Sequence, residues 1–112
     1  MGTRMEEQLE ITVKELKRLL DGEAKIQLID VREPHEYDFC HIEGSTLIPI
    51  RKFWAGVNYL NPENEYVFYC HVGERSAWVV NLLRQQGFKK VKNLKGGIDQ
   101  WAVEIDPSTP RY

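Results

Sequence analysis

The amino-acid sequence predicts an α/β fold, with a central, mostly parallel sheet that helices cover on both faces. Short apolar segments alternate with segments of helical periodicity, which is the order expected of parallel strands joined by crossover helices. The two strongest strand segments, residues 26–31 and 66–69, contain little polar interruption. Such runs are typical of strands that are buried on both faces, as in a parallel sheet.

The first half of the chain predicts two helices and two strands. Thr12 and Glu15 have the spacing of a capping box, so we expect a helix that begins there and ends at residues 21–22. After the strand over residues 26–31, Pro34 stands at a first-turn position and predicts a short helix over residues 34–39. Residues 47–50 are expected to form a short strand. The predicted buried stripe of the first helix consists of Val13, Leu16, Leu19 and Leu20.

The second half of the chain repeats the alternation. The strand over residues 66–69 precedes a predicted helix over residues 76–86, which Gly87 ends. A weaker strand over residues 91–94 and a last helix over residues 98–103 follow. Side chains of large volume are most often buried, so we expect the three tryptophans to lie in the core or in a pocket wall. They are Trp54, Trp78 and Trp101.

Length and composition predict one folded domain. A chain of 112 residues with 42% hydrophobic residues can bury a core of its own. We expect a single domain over residues 1–112, with its core at about residues 11–102 and irregular ends at residues 1–8 and 106–112. The net charge of −2 gives no basis for a nucleic acid or an anionic membrane as a partner.

The sequence also suggests a compartment and an assembly state. No apolar run approaches the length of about 18 residues that spans a bilayer, and the polar N-terminal residues do not resemble a secretory signal. We therefore expect a cytoplasmic protein. Two cysteines are too few for a disulfide framework, and in a reducing compartment they stay free thiols. No pattern resembles a dimer seam, so a monomer is expected.

The segment after the second strong strand contains the residues best suited to chemistry. In an open parallel sheet, ligands bind beyond the carboxyl ends of the strands, which selects the segments after residues 31 and 69. Cys70 stands at a strand end, Gly73 allows a tight loop whose N–H groups point inward, and a helix follows. The helix N-terminus and the charge of Arg75 act on the same point. These features favour a Cys70 thiolate, and they would equally stabilise a persulfide.

Several motifs, taken together, resemble those of rhodanese-like domains. Cys-x4-Arg-Ser over residues 70–76, between a strand and a helix, is similar to the active-site loop of that family. Gly96-Gly97-Ile98 with Trp101 resembles its C-terminal signature, and the resemblance covers about residues 11–102. The run from Gly96 to the end is also similar to the tail of rhodanese domains fused to adenylating enzymes of molybdopterin and thiamin sulfur pathways. The stretches that resemble the family's first signature are residues 30–33, 36–37, 41–45 and 48–49.

The resemblance implies a rhodanese-like fold with a five-stranded sheet and a sulfurtransferase activity. Cys70 would take a sulfane sulfur from thiosulfate, or from a small-molecule or protein persulfide, and pass it to cyanide, a thiol or a sulfur carrier. Arg75 is expected to support the thiolate and to bond to loop carbonyls or to a nearby carboxylate. Asp30 and Arg32 are expected to brace the loop as an ion pair, with direct substrate contact as the alternative. The loop residues assigned to substrate binding are His71, Val72, Gly73, Glu74 and Ser76.

Other interpretations of the same residues stay open. A cysteine-dependent phosphatase or arsenate reductase is less favoured, because Cys-x5-Arg phosphatases have a loop one residue longer, which cradles a tetrahedral phosphate. A binding module that has lost catalysis is the other alternative, although such domains typically lack the cysteine. Cys40, where the family often has glycine, is expected to be a packed residue without chemistry. We expect no cofactor, and the scattered histidines show no ligand spacing for a metal.

Overall fold

A computed structural model of the chain describes residues 9–112, so the predicted irregular end at residues 1–8 lies outside the described residues. Five strands form one sheet in the order β1-β5-β4-β2-β3, and every neighbouring pair is parallel. The predicted fold class is therefore confirmed. The strands are β1 (Glu10–Ile11), β2 (Ile26–Asp30), β3 (Thr46–Leu47), β4 (Glu65–Tyr69) and β5 (Val91–Leu94).

Helices connect the strands and cover both faces of the sheet. The helices are α1 (Val13–Asp21), α2 (Pro34–Phe39), α3 (Phe53–Gly56), α4 (Glu74–Gln85) and α5 (Gly97–Glu104). Short 3-10 turns at Ile50–Lys52 and Val57–Tyr59 flank α3. Within residues 9–112 no helix has both the length and the apolar character needed to cross a membrane.

The two faces of the sheet have separate hydrophobic cores, and β4 contributes to both. Val67 and Tyr69 pack with residues of α1 and α5, whereas Tyr66 and Phe68 pack with residues of α3 and α4. This alternation follows from the period of two in a strand. Since all four side chains are almost fully buried, β4 is a rigid central strand, and the residue after it is held firmly.

Helix α1 confirms the capping box. The Thr12 hydroxyl accepts from the Glu15 amide at 3.1 Å, and the Glu15 carboxylate accepts from the Thr12 amide at 2.9 Å. Val13 and Leu16 are buried, but the prediction that Leu20 is buried was wrong, because this side chain is 37% exposed. Leu20 lies in the last turn of the helix, over a shallow groove beside Trp101, and not over the sheet.

Strand β1 and the bounds of β3 differ from the prediction. A strand of two residues has no detectable sequence pattern, and β1 exists because Asn93 and Lys95 donate their amides to the carbonyls of Leu9 and Ile11. The predicted strand over residues 47–50 is shorter, since Pro49 has no amide to donate and the chain turns into a 3-10 helix after it.

Only one of the three tryptophans lies in the core. Trp101 is 7% exposed, as predicted, whereas Trp54 and Trp78 are each 52% exposed. Trp54 lines a surface groove with Val57 and Phe88, which fits the predicted pocket wall, and the prediction was wrong for Trp78. Phe53 takes the buried position of α3, and Trp54 lies at its edge. Trp78 lies on the outer side of α4, away from the side chains that face the sheet.

Candidate active site

Cys70 directly follows β4, and its sulfur lies inside the tight loop that precedes α4. The amides of Gly73 and Ser76 donate to Sγ at 3.2 and 3.4 Å, and the Ser76 hydroxyl oxygen lies 3.3 Å from the same sulfur. The Ser76 amide belongs to the first turn of α4, where N–H groups have no partner within the helix. The loop and the helix N-terminus thus direct hydrogen-bond donors at one sulfur, as the sequence predicts. Cys70 itself is 1% exposed.

The N-terminus of α5 holds the loop in this orientation. The amides of Ile98 and Asp99 donate to the carbonyls of Cys70 and His71 at 2.9 and 3.0 Å. The backbones approach so closely that a Cβ on Gly97 would lie 2.4 Å from the carbonyl oxygen of His71. Gly97 also has a φ of +63°, which favours glycine. The double glycine therefore allows α5 to turn the loop carbonyls away from the sulfur and the loop amides toward it.

A buried polar side chain that the sequence analysis missed, Asn93 on β5, joins the site. Its Oδ1 contacts the Ser76 hydroxyl, and its Nδ2 donates to the Gly73 carbonyl at 3.1 Å and to Glu10 at 3.2 Å. Asn93 is 1% exposed. The available signal was a carboxamide within the predicted strand over residues 91–94, since a polar group that a sheet buries requires partners.

Arg75 forms a two-armed ion pair with Glu36 of α2. The Nη1–Oε1 and Nη2–Oε2 distances are 2.9 and 3.1 Å, so the nearby carboxylate expected for Arg75 is present. Burial opposes the charge of Glu36, but hydrogen bonds from Arg75, from a backbone amide and from Tyr112 outweigh burial and lower the pKa of Glu36 to about 2. The hydrogen bonds to Glu36 likewise raise the pKa of Arg75. The sequence analysis had not assigned Glu36 to the site.

Asp30 and Arg32 lie beside the loop but are fully buried. Both side chains are 0% exposed, and Arg32 donates to Asp30 through its amide, Nε and Nη2 at 2.6–3.1 Å. Its Nη2 also donates to the Cys40 carbonyl at 2.6 Å, and its Nη1 donates to the Tyr112 hydroxyl at 2.7 Å. Burial opposes the charge of Arg32, but these partners outweigh it and raise its pKa. A guanidinium with this many fixed partners fits a brace, and direct substrate contact has no support in this geometry.

The segment over residues 106–112 contacts the site although it contains no helix or strand. The ring of Tyr112 stacks on His71 with centroids 4.0 Å apart and an angle of 9° between the planes. The Tyr112 hydroxyl also donates to Glu36 at 2.8 Å. Arg111 forms a two-armed ion pair with Asp99 at 2.9 and 3.0 Å. This segment therefore lies across the outer side of the Cys70 loop, a contact that no local sequence pattern indicated.

The remaining predicted site residues differ in exposure. His71 is half-buried, and its Nε2 is the one buried side-chain polar atom without a hydrogen-bond partner among the described residues. Val72 is 47% exposed and Glu74 is exposed, so both lie at the mouth of the loop. Cys40 is 9% exposed, packed as expected, with its sulfur 3.5 Å from the Pro110 carbonyl. Within residues 9–112 no group of three or more His, Cys, Asp and Glu residues could hold a metal ion.

Comparisons with known proteins agree with this geometry. The family model described as "Rhodanese-like domain" matches residues 12–104. Rhodanese-like/PpiC domain-containing protein 12, chloroplastic, of Arabidopsis thaliana is 46% identical over 90 residues, which are 77% of this chain and 30% of that protein. The probable adenylyltransferase/sulfurtransferase MoeZ of Mycobacterium tuberculosis is 38% identical over 104 residues, which are 91% of this chain and 26% of that protein.

A solved structure has the same fold. The crystal structure of a rhodanese-like domain protein from Staphylococcus aureus superposes with a TM-score of 0.79 at 31% sequence identity. The match covers 92% of this chain and 97% of that one. The chain thus spans less than a third of each of the two named relatives, but nearly the whole of this structural neighbour.

Proposed function

Because the chain belongs to the rhodanese-like domain family, we propose that it is a sulfurtransferase that moves a sulfane sulfur through a persulfide on Cys70. The observation behind this proposal is the buried Cys70 sulfur that accepts hydrogen bonds from two backbone amides, those of Gly73 and Ser76, at 3.2 and 3.4 Å. Such donors stabilise negative charge on sulfur in the thiolate and in the persulfide. The name of the mycobacterial relative supports the reaction class.

The reaction consists of two displacements. The Cys70 thiolate attacks the outer sulfur of thiosulfate, a new S–S bond forms, and sulfite leaves with the electron pair of the broken S–S bond. An acceptor nucleophile then attacks the terminal sulfur and releases the Cys70 thiolate, so that cyanide becomes thiocyanate. The sulfur is passed on without net oxidation, and ping-pong kinetics are expected. A persulfide as donor, and a thiol or a sulfur carrier that attacks through a thiol as acceptor, react in the same way.

The other residues of the loop have supporting roles in this proposal. Arg75 holds α4 and α2 together and keeps a positive charge near the sulfur, while Asp30 and Arg32 brace the neighbouring strand end. His71, Val72 and Glu74 line the mouth through which donor and acceptor reach Cys70. Both cysteines are free, which supports a reducing compartment such as the cytosol.

The loop size supports sulfur transfer over phosphate hydrolysis. Four residues separate Cys70 from Arg75, and both arms of Arg75 are occupied by Glu36. A phosphatase needs its loop arginine to hold phosphate oxygens, whereas a single sulfur requires only the inner amides.

The experiment is an intact-mass measurement on the reduced protein after incubation with thiosulfate. We expect a gain of about 32 Da, one sulfur atom, that cyanide reverses with release of thiocyanate. Cys70→Ser should show no gain, and the matched variant Cys40→Ser should gain the same mass as wild type.

Two results would overturn the proposal. A mass gain that persists in Cys70→Ser would place the persulfide elsewhere. No gain with thiosulfate, and none with a persulfide donor, would favour the binding module. An aryl phosphate assay on the same samples tests the phosphatase alternative.

A further inference from the structure

The hydrogen bonds of the buried carboxamide of Asn93 can be assigned one by one. Its Nδ2 faces the Gly73 carbonyl and the Glu10 carboxylate, at 3.1 and 3.2 Å, and both are acceptors only. A flipped amide would place Oδ1 against these two acceptors. The amide orientation is therefore determined, and Oδ1 must face the Ser76 hydroxyl.

This orientation determines where the Ser76 hydrogen points. A hydroxyl has one hydrogen and two lone pairs, and Oδ1 of Asn93 can only accept. The one hydroxyl hydrogen can serve Asn93 Oδ1 or Cys70 Sγ, 3.3 Å away, but not both. When the hydroxyl donates to Asn93, it presents lone pairs to the sulfur. Once the thiol has lost its proton to solvent, those lone pairs face an anionic sulfur. The hydroxyl hydrogen then has two competing acceptors, Oδ1 and the thiolate.

We propose that Asn93 is a positioning residue that competes with Cys70 for the hydroxyl hydrogen of Ser76. The competition withholds part of a hydrogen bond from the thiolate, which leaves the sulfur less stabilised and more nucleophilic. The loop amides of Gly73 and Ser76 keep donating in both states. The role of Asn93 in sulfur transfer rests on the proposed function. The hydrogen bonds assigned above are independent of that function.

Charged groups on every element around the sulfur stay unchanged in the variants used below, so they do not confound the comparison. Arg75 acts on Cys70 from α4, and its partner Glu36 lies on α2. His71 and Asp99 lie on the loop and on α5, and Glu10 approaches Asn93 from β1.

The experiment measures iodoacetamide alkylation of Cys70 against pH, read from the mass of the Cys70 peptide, in a double-mutant cycle of Asn93→Leu and Ser76→Ala. Leucine resembles asparagine in size but cannot accept. We expect Asn93→Leu to lower the pH of half-maximal alkylation by about 0.5 to 1 unit, the size of one hydrogen bond. The rate at the high-pH plateau should fall about two- to threefold, because a better stabilised thiolate is a weaker nucleophile.

The Ser76→Ala background separates this role from packing. With no hydroxyl to compete for, Asn93→Leu should leave the half-maximal pH of the Ser76→Ala protein unchanged. The same shift in both backgrounds, or no shift in either, would overturn the proposal. If Asn93→Leu does not fold, Asn93→Ala replaces it in the same cycle. The matched control is Asn81→Leu at an exposed position of α4, and its pH of half-maximal alkylation should equal that of wild type.

Alkylation requires no sulfur donor, so the test is independent of the proposed function. If thiosulfate and persulfides leave no mass on Cys70 but the cycle gives the expected coupling, the sulfurtransferase proposal fails and the hydrogen-bond competition stands. If persulfide forms in wild type, its single-turnover rate with thiosulfate should fall about two- to threefold in Asn93→Leu.

Discussion

Two arginine–carboxylate pairs lie at the carboxyl edge of the sheet, one after β2 and one beside the loop that follows β4. Both side chains of the Asp30–Arg32 pair are 0% exposed, whereas Arg75 and Glu36 are 35% and 11% exposed. The partners of Arg32 are fixed acceptors on three different segments of the chain. Among residues 9–112, Arg75 has one hydrogen-bonded partner, Glu36 on a short helix. The Tyr112 hydroxyl joins the two pairs, since it accepts from Arg32 and donates to Glu36.

The difference separates a fully buried charge from a partly exposed charge that interacts with the Cys70 sulfur. A buried ion costs several kcal/mol to desolvate, so it persists only where it is paired and hydrogen-bonded. A fully buried group of this kind is also out of reach of a ligand. A half-exposed pair costs less and keeps part of its field near the sulfur. Variants of both pairs, and of the backbone contact that holds the loop between them, test this contrast.

Arg32→Met should have the largest effect on stability. It leaves the Asp30 carboxylate buried without its partner, and we expect a loss of about 3 to 5 kcal/mol in the free energy of unfolding measured with urea. Arg51→Met is the matched control, because Arg51 pairs with Glu33 but is 54% exposed, and it should cost about 1 kcal/mol or less. Equal losses in the two variants would remove the distinction between the pairs.

Gly97→Ala tests whether backbone contacts hold the loop. Its Cβ would lie 2.4 and 2.5 Å from the carbonyl oxygens of His71 and Cys70, in addition to the strain of a positive φ. We expect a loss of about 2 to 3 kcal/mol in stability and more than about tenfold in sulfur transfer. Gly44→Ala has the same kind of φ with no atom within 4 Å, so it should lose only about 1 kcal/mol and no activity. A fully active Gly97→Ala would contradict the role of α5.

The Arg75–Glu36 pair should make the free energy of unfolding depend on pH in the acid range. The pKa of Glu36 is lowered from 4.5 to about 2, so the pair stabilises the fold above pH 4.5 and loses that contribution as the pH falls toward 2. Between these values wild type should lose about 1 to 2 kcal/mol more than Glu36→Gln, after allowance for screening. Urea unfolding at several pH values measures this, with the exposed Glu43→Gln as control. Parallel curves would show that Glu36 is not the titrating group.

Arg75→Lys keeps the charge but loses the two-armed geometry. We expect about 1 kcal/mol less stability, because the pair is partly exposed, and sulfur transfer about five- to tenfold slower, because α4 loses its two-armed contact with α2. Single-turnover persulfide formation gives the rate, and urea unfolding gives the stability. If Arg75→Lys transfers sulfur at the wild-type rate, only the positive charge of Arg75 contributes and its two-armed geometry does not.

Tyr112→Phe should have the smallest effect. It removes the hydroxyl that joins the two pairs but keeps the ring on His71, and we expect a loss of about 1 kcal/mol or less with sulfur transfer changed less than about twofold. Tyr37→Phe is the matched control, since the Tyr37 hydroxyl donates to a single neutral carbonyl, of Ser45, at 3.0 Å. A smaller loss for Tyr112→Phe than for Tyr37→Phe would mean that the two pairs are independent.

The elements that sequence reasoning predicted well are those whose causes are local. The capping box of α1, the proline that begins α2 and the glycine after α4 act within one or two turns of chain. The apolar runs of β2 and β4 indicate directly that these strands lie between two layers of helices. The Cys70 loop belongs here as well, because a strand, a glycine and a helix N-terminus in direct succession are enough to direct amides at one sulfur.

Only the tertiary structure decided which side chains complete the site. Glu36 lies 39 positions from Arg75, Glu10 lies 83 positions from Asn93, and Tyr112 lies 76 positions from Glu36. Contacts over such separations depend on strand order and on the packing of helices, which no local pattern encodes. The exposed Trp54 and Trp78 illustrate the same limit, because size alone does not tell which face of a helix meets the sheet. The sequence by itself therefore determined the Cys70 loop and pointed to the Asp30–Arg32 pair. Tertiary packing determined which carboxylate holds Arg75 and which amide lies behind Ser76, because those partners are distant in sequence.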